Sequence, residues 1–286
     1  MPSRPLDSAS QVDPERLAGY ERAPADVKPQ LSYEALRDII DLSLWAGQLL
    51  LQHGADTQMV EETIHRLGTA LGCNWLDILV SPNALVITAH SGIEFRTKVR
   101  RVVSLGVNMA IVTEVSRLRL RVESGELDRV GLRAELKRIS ESRSHYNRWV
   151  VVGMVGLACA AFSRLSGADW PSFSLTFLAA ATAMFVRQEL NHRQFNLFLV
   201  VVVTAFIAGA IACLGIVLQI GAQAQVALAS SVLLLVPGVP LINSAEDLIK
   251  GHFVTGIVRG VTGGIIALCI ALGLVLAMFI FGVSGL

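Results

Sequence analysis

Charge nearly disappears from the second half of this 286-residue sequence. Of 24 Lys and Arg residues, five lie after residue 148: Arg164, Arg187, Arg193, Lys250 and Arg259. Of 23 Asp and Glu residues, four do: Asp169, Glu189, Glu246 and Asp247. This depletion excludes a single soluble domain, a coiled coil and a disordered chain, all of which carry charge along their whole length. An excess of either sign is missing as well. The net charge is +1, so no basic footprint for nucleic acid is present. The four cysteines, Cys73, Cys159, Cys213 and Cys269, have neither CxxC nor Cys/His spacing. A disulfide framework and a metal site are therefore not expected, and the cysteines read as small buried hydrophobes. P-loop, GxGxxG and nucleophile-elbow patterns are also missing, so no cofactor and no catalytic residue is expected. Residues 1–31 lack the apolar core of a secretory signal and hold five of the nine prolines among scattered charges. The segment 1–32 reads as a disordered tail.

What is present divides at about residue 146. Residues 33–146 read as a soluble α+β domain. Leu36, Ile39, Ile40, Leu44, Gly47 and Leu51 recur at helical spacing over 33–53. Gly54 suits a helix end and Asp56 the cap of a second helix over 57–71, with Val60, Ile64, Leu67 and Leu71 on one face. Period-two alternation over 75–81, 84–90 and 93–99, with turns at Pro82-Asn83 and Ser91-Gly92, predicts an antiparallel meander. Helices over 104–123 and 126–143 follow. Glu61, Glu62 and His65 share one side of the second helix; a solvated helix face explains them better than a site does.

Residues 147–286 read as a transmembrane domain. About five spans are expected, over 147–165, 170–187, 195–219, 226–243 and 253–281. The last is long enough to be tilted or to begin outside the hydrocarbon. Lys and Arg cluster before the first span and in the second and fourth loops, which predicts a cytoplasmic N-terminal domain and a C-terminus outside. The expected fold is thus an α-helical membrane protein of about five spans with an N-terminal cytoplasmic α+β domain. Small residues at four-residue steps, Gly256, Gly260 and Gly264 in the fifth span and Ala205, Gly209 and Cys213 in the third, predict close helix packing.

The stretch 235–252 is the richest in chemistry. Pro237, Gly238 and Pro240 interrupt an apolar run, and proline removes a backbone donor. Freed backbone groups at membrane depth must meet protein, water or ligand. Beside the interruption stand Asn243, Ser244, Glu246 and Asp247, with Arg259 further along. One reading is a solute site: a substrate carboxylate meets Arg259 and free N–H groups, while Asp247 or Glu246 meets an ammonium or carries a proton. The other is a span ending at Pro237, followed by a polar loop that caps the next helix.

The run from Val236 to Ser244, with Asp247-Leu248, Gly251-His252 and Gly256…Arg259, resembles the signature of the threonine/serine exporter family. Gly54-Ala55-Asp56-Thr57…Val60-Glu61-Glu62 and Gly125-Glu126-Leu127 resemble the same family's cytoplasmic domain, so that the resemblance spans about residues 34–281. It implies export of small hydrophilic metabolites across a bacterial inner membrane. Five spans rather than ten resemble the family's split branch, whose large subunit works with a small five-span YjjB-like membrane subunit and is associated with succinate. The contrasting reading is a non-transporting membrane sensor or scaffold whose cytoplasmic domain binds a ligand or partner.

Overall fold

The computed structural model describes residues 28–102, 106–142 and 146–283. Most of the expected disordered tail lies outside these residues. Its last five residues are described and pack on the domain: the Lys28 ammonium donates to the Cys73 carbonyl (3.3 Å) and the Leu31 amide to Ser91 Oγ (2.9 Å).

Helix α1, Tyr33–Gln52, starts where Ser32 Oγ accepts from the Ala35 amide. It ends at Gly54, which takes φ +93° while the Ala55 amide returns to the Leu50 carbonyl. Asp56 then caps α2, Thr57–Ala70, by accepting from the Met59 amide (3.1 Å). Strands β1 (Trp75–Ser81), β2 (Ala84–Ser91) and β3 (Glu94–Arg101) form an antiparallel sheet in the order β1-β2-β3. Helices α3 (Met109–Glu123) and α4 (Arg129–Glu141) begin later than their periodicity suggests, because Asn108 and Asp128 take the caps. The core of this domain unites α1–α4 with the inner face of β1 and β2, through Ile40, Leu44, Ile64, Leu67, Leu85 and Ile87.

On β3 the apolar side chains face away from that core. Phe95 and Val99 are exposed, and Lys98 and Arg100 lie opposite Ile87 and Leu85. The edge strand covers the rim of the core with long basic stems. Towards α1, Lys98 pairs with Asp41 and Arg96 lies over the Tyr33 ring at 4.5 Å, while Arg96 Nη1 and Arg100 Nη1 are buried without a hydrogen-bond partner.

The second half is helical: α5 (Arg148–Leu165), α6 (Trp170–His192), α7 (Leu197–Val217), α8 (Ala224–Ser231), a 3-10 turn (Leu233–Leu235), α9 (Gly238–Ile249) and α10 (Phe253–Phe281). Three of these, α5, α7 and α10, are long and apolar enough to cross a bilayer, and α8 with α9 forms a bent pair that would make a fourth crossing. The expected second span, α6, has the length but is less apolar, with Ser172, Ser174, Thr176 and Thr182 spaced along it. Over the expected fourth span, 226–243, the chain forms two helices bent by 61°, with the interruption at Pro237 and Pro240, which cannot donate to a continuous ladder. The polar stretch after Pro237 is helical to Ile249 rather than a loop. At about 43 Å, α10 exceeds the hydrocarbon thickness, so its first turns can stand outside a bilayer.

Small residues set the packing. A Cβ on Gly273 would lie 2.6 Å from the Val202 carbonyl and 2.8 Å from Ala205 Cβ; one on Gly209 would meet Ala277 at 3.1 Å. Gly256 and Gly260 press α10 onto Leu248 and Ser244 of α9. Gly264 does not join them, since a Cβ there would meet nothing within 4 Å; Gly263, against Leu241, takes that place. Four-residue steps advance 40° per step around a helix, so the third glycine of such a series leaves the contact.

Candidate functional site

The stretch 237–259 meets the N-terminal domain at one turn. Gly54 ends α1 and Asp56 begins α2, so the carbonyls of Gly54 and Ala55 and the first amide of α2 are left pointing outwards. Residues of α9 and α10 take up each of them. Asn243 Nδ2 donates to the Gly54 carbonyl (2.8 Å), and Arg259 Nη2 donates to the Ala55 carbonyl (2.9 Å). The Thr57 amide donates to Asp247 Oδ1 (3.0 Å), while Arg259 Nη1 donates to Asp247 Oδ2 (2.8 Å). Asp247 is fully buried. Its charge is met on one side by the guanidinium and on the other by the N-terminus of α2, where the helix dipole favours an anion.

A second ring surrounds this centre. Lys250 Nζ lies 3.3 Å from Asp56 Oδ1 and also pairs with Glu246. His252 Nδ1 lies 3.7 Å from Glu61 Oε1. Ser244 Oγ donates to the Gly256 carbonyl (2.7 Å), within the α9–α10 pair. Of the sequence-derived residues, then, Asn243, Asp247 and Arg259 converge on the turn, Glu246 stands at its edge through Lys250, and Ser244 locks the two helices. Pro237 and Gly238 lie apart, at the break that starts α9. Arg259 and Asp247 face each other. To the central contacts the Gly54–Thr57 turn contributes backbone groups, with the Asp56 carboxylate meeting Lys250 at the edge. Its sequence signals are the helix-stop and helix-cap pair Gly54 and Asp56 and the resemblance of Gly54-Ala55-Asp56-Thr57 to the family's cytoplasmic domain.

Burial raises the pKa of Glu61; the neighbouring His252 opposes the shift and Asp247 adds to it. A carboxyl that holds its proton more firmly when folded contributes stability below its ordinary value of 4.5, and loses that contribution as pH rises through the raised value. Wild-type thermal stability is therefore expected to fall relative to Glu61→Gln as pH rises from about 4.5 towards neutrality. Parallel melting curves for the two proteins across that range would contradict this.

Glu61, Glu62 and His65 also line an open cleft of about 500 Å³ between α2 and β1. Glu62 is occupied by Arg66 (2.7 Å) and Arg119 (3.5 Å), and His65 packs edge-on against Trp75 with ring centres 4.8 Å apart. Among the described residues no three His, Cys, Asp or Glu side chains converge as metal ligands would.

The break itself is closed by a different cation. The Arg187 guanidinium, from α6, donates to the Leu234 carbonyl at 3.0 Å. That carbonyl belongs to the 3-10 turn, whose ladder stops at Pro237.

A threonine/serine exporter family model matches residues 41–281, taking in both halves and the turn that joins them. The chain belongs to the threonine/serine exporter family. It is 38% identical over 255 residues to the probable succinate transporter subunit YjjP of Escherichia coli K12, covering 88% of this chain and 98% of that protein. The protein of the same name in Klebsiella aerogenes is likewise 38% identical over 252 residues, covering 87% of this chain and 96% of that one. The threonine/serine exporter of Corynebacterium glutamicum is 24% identical over 257 residues, which are 86% of this chain and 52% of that longer protein. No solved structure matches. In this chain Asn243, Asp247 and Arg259 thus lie at the contact between the two halves.

Proposed function

We propose that the chain is one subunit of an inner-membrane secondary exporter for small carboxylate metabolites, of the succinate-type dicarboxylate or threonine/serine class. It works with a small five-span, YjjB-like membrane partner. The observation that carries the reading is the bent α8–α9 pair. A helix interrupted among apolar helices leaves backbone groups that a polar solute can use, a recurring plan in secondary transporters. Near full-length similarity to probable succinate transporter subunits favours the split arrangement over the fused one. Export runs on the proton-motive force or on the solute gradient.

The N-terminal domain lies on the cytoplasmic side and the C-terminus outside. Supporting this, Arg148, Arg187, Arg193 and Lys250 gather at the end of the bundle next to the domain, and Arg164 stands at the other. In this reading Pro237 and Gly238 shape the solute path. Asn243, Asp247 and Arg259 couple α9 and α10 to the domain, with Ser244 and Glu246 supporting them. The sensor or scaffold reading draws on the same coupling, since a ligand on the domain could act through the Gly54–Thr57 turn.

Efflux decides between them. Everted membrane vesicles from cells producing the chain and its partner should accumulate labelled succinate, threonine or serine above vesicles lacking the chain. Equal accumulation in both would overturn the exporter reading and leave the sensor.

A further inference from the structure

Arg187 differs from the other cations of the helical half. Arg148 and Arg193 share Glu189, at 3.6 and 3.0 Å. Lys250 and Arg259 have the partners described above. Arg164 stacks over the Trp170 ring at 4.8 Å at the opposite end of the bundle. Among the described residues Arg187 has no carboxylate partner. It makes one hydrogen bond, to the Leu234 carbonyl. A guanidinium carries five N–H donors in a fork that fits a carboxylate with two parallel bonds, so most of its capacity is unspent.

Its position matters as much as its charge. Arg187 lies five residues before the end of α6, more than a turn inside the helix, and its target is the carbonyl next to the break. One turn earlier, Ala183 packs with Val201, Ala205 and Leu235. On that same stretch of α7 the buried Thr204 hydroxyl has no hydrogen-bond partner. The α9 helix opens without a side-chain cap. A partly buried cation and an uncapped helix start therefore occur at one interruption. Arg259, the cation first suggested by the sequence for a substrate carboxylate, is committed to Asp247 and Ala55.

We infer that Arg187 binds a carboxylate of the transported metabolite at the α8–α9 break. The inference rests on the exporter reading and assigns that reading its anion-binding residue. The competing role is structural: Arg187 closes the turn by capping Leu234 and touches no solute.

Uptake of labelled succinate, threonine and serine by everted vesicles containing the full chain and its partner separates these roles. Arg187→Gln is expected to raise KM for the transported carboxylate roughly 10- to 100-fold at wild-type membrane abundance, the effect of losing a charged hydrogen-bonded contact. Arg187→Lys, which keeps the charge but not the fork, is expected to raise it about 5-fold. If Arg187→Gln does not accumulate in the membrane, the Lys variant decides: a raised KM supports the inference and a wild-type KM overturns it. Saturable wild-type uptake with unchanged KM in both variants overturns the inference and leaves the exporter reading standing. Wild-type vesicles that take up none of the three solutes overturn the exporter reading and the inference with it.

Discussion

Replacing Arg259 with alanine is expected to destabilise the chain by about 3–5 kcal/mol, the cost of leaving one member of a buried ion pair without its partner. Asp247 is fully buried, and its two oxygens have separate donors, the guanidinium and the Thr57 amide. Removing Arg259 strands the carboxylate and frees the Ala55 carbonyl at once. Asn243→Ala removes a single neutral hydrogen bond to the Gly54 carbonyl and should cost about 1 kcal/mol. Thermal unfolding of the detergent-solubilised chain gives the difference, and hydrogen exchange at the Thr57 amide reports the local opening. The double variant Arg259→Ala/Asp247→Ala should recover part of the loss, because it removes the stranded charge; a coupling of about 2 kcal/mol is expected. A wild-type melting temperature with a protected Thr57 amide in Arg259→Ala would show that the turn is held by something else. Efflux should fall with docking, since the same contacts tie the domain to the helix that starts at the break.

Local structure was legible in the sequence because its causes are local. Gly54 and Asp56 mark the end of α1 and the start of α2. Pro237 and Pro240 mark an interruption, and the strand alternation gives the meander. The direction of each face was less legible. On β3 both residue sets alternate equally well, and the apolar one, Phe95 and Val99, faces outwards because the pairing with β2 sets Lys98 and Arg100 beside Ile87 and Leu85. Membrane-helix packing escaped for a geometric reason: glycines at steps of four look like one stripe, yet Gly264 has turned out of the contact and Gly263 has turned in.

The meeting of the two halves was the least legible feature. Asn243 and Gly54 are 189 positions apart, and Thr57 and Asp247 are 190 apart. No periodicity connects them, and half of the contact is backbone, which carries no residue-type signal. Both the 236–259 motif and the Gly54-Ala55-Asp56-Thr57 run could be singled out, but not that they meet. Asp247 and Arg259 read as groups waiting for a solute, whereas the structure pairs them with each other and with a helix terminus. The same reasoning passed over Arg187, which as an isolated residue near a span end looks like an orientation signal. Only the return of α8 into the bundle brings the Leu234 carbonyl to it.

Gly273→Leu is expected to be the most damaging single change within the helical half. A Cβ at this position would lie 2.6 Å from the Val202 carbonyl oxygen, 2.8 Å from Ala205 Cβ and 2.9 Å from the Phe206 nitrogen. Two of these three obstacles are backbone, so no rotamer change makes room; α7 and α10 must separate along their length. Forced overpacking of this kind costs about 3 kcal/mol, and here it also opens the neighbouring layer around Gly209, Leu274 and Ala277. Between membrane helices there is little hydrophobic gain to offset the loss, because close approach of small residues is itself the main attraction. Gly264→Leu on the same helix is the internal control: its Cβ would meet nothing within 4 Å, and the isolated chain should stay within about 0.5 kcal/mol of wild type. The two variants are matched in size, hydrophobicity and helix propensity, so different melting temperatures report packing alone. If both melt as wild type does, the close approach of α7 and α10 at Gly273 is not what holds the helices together.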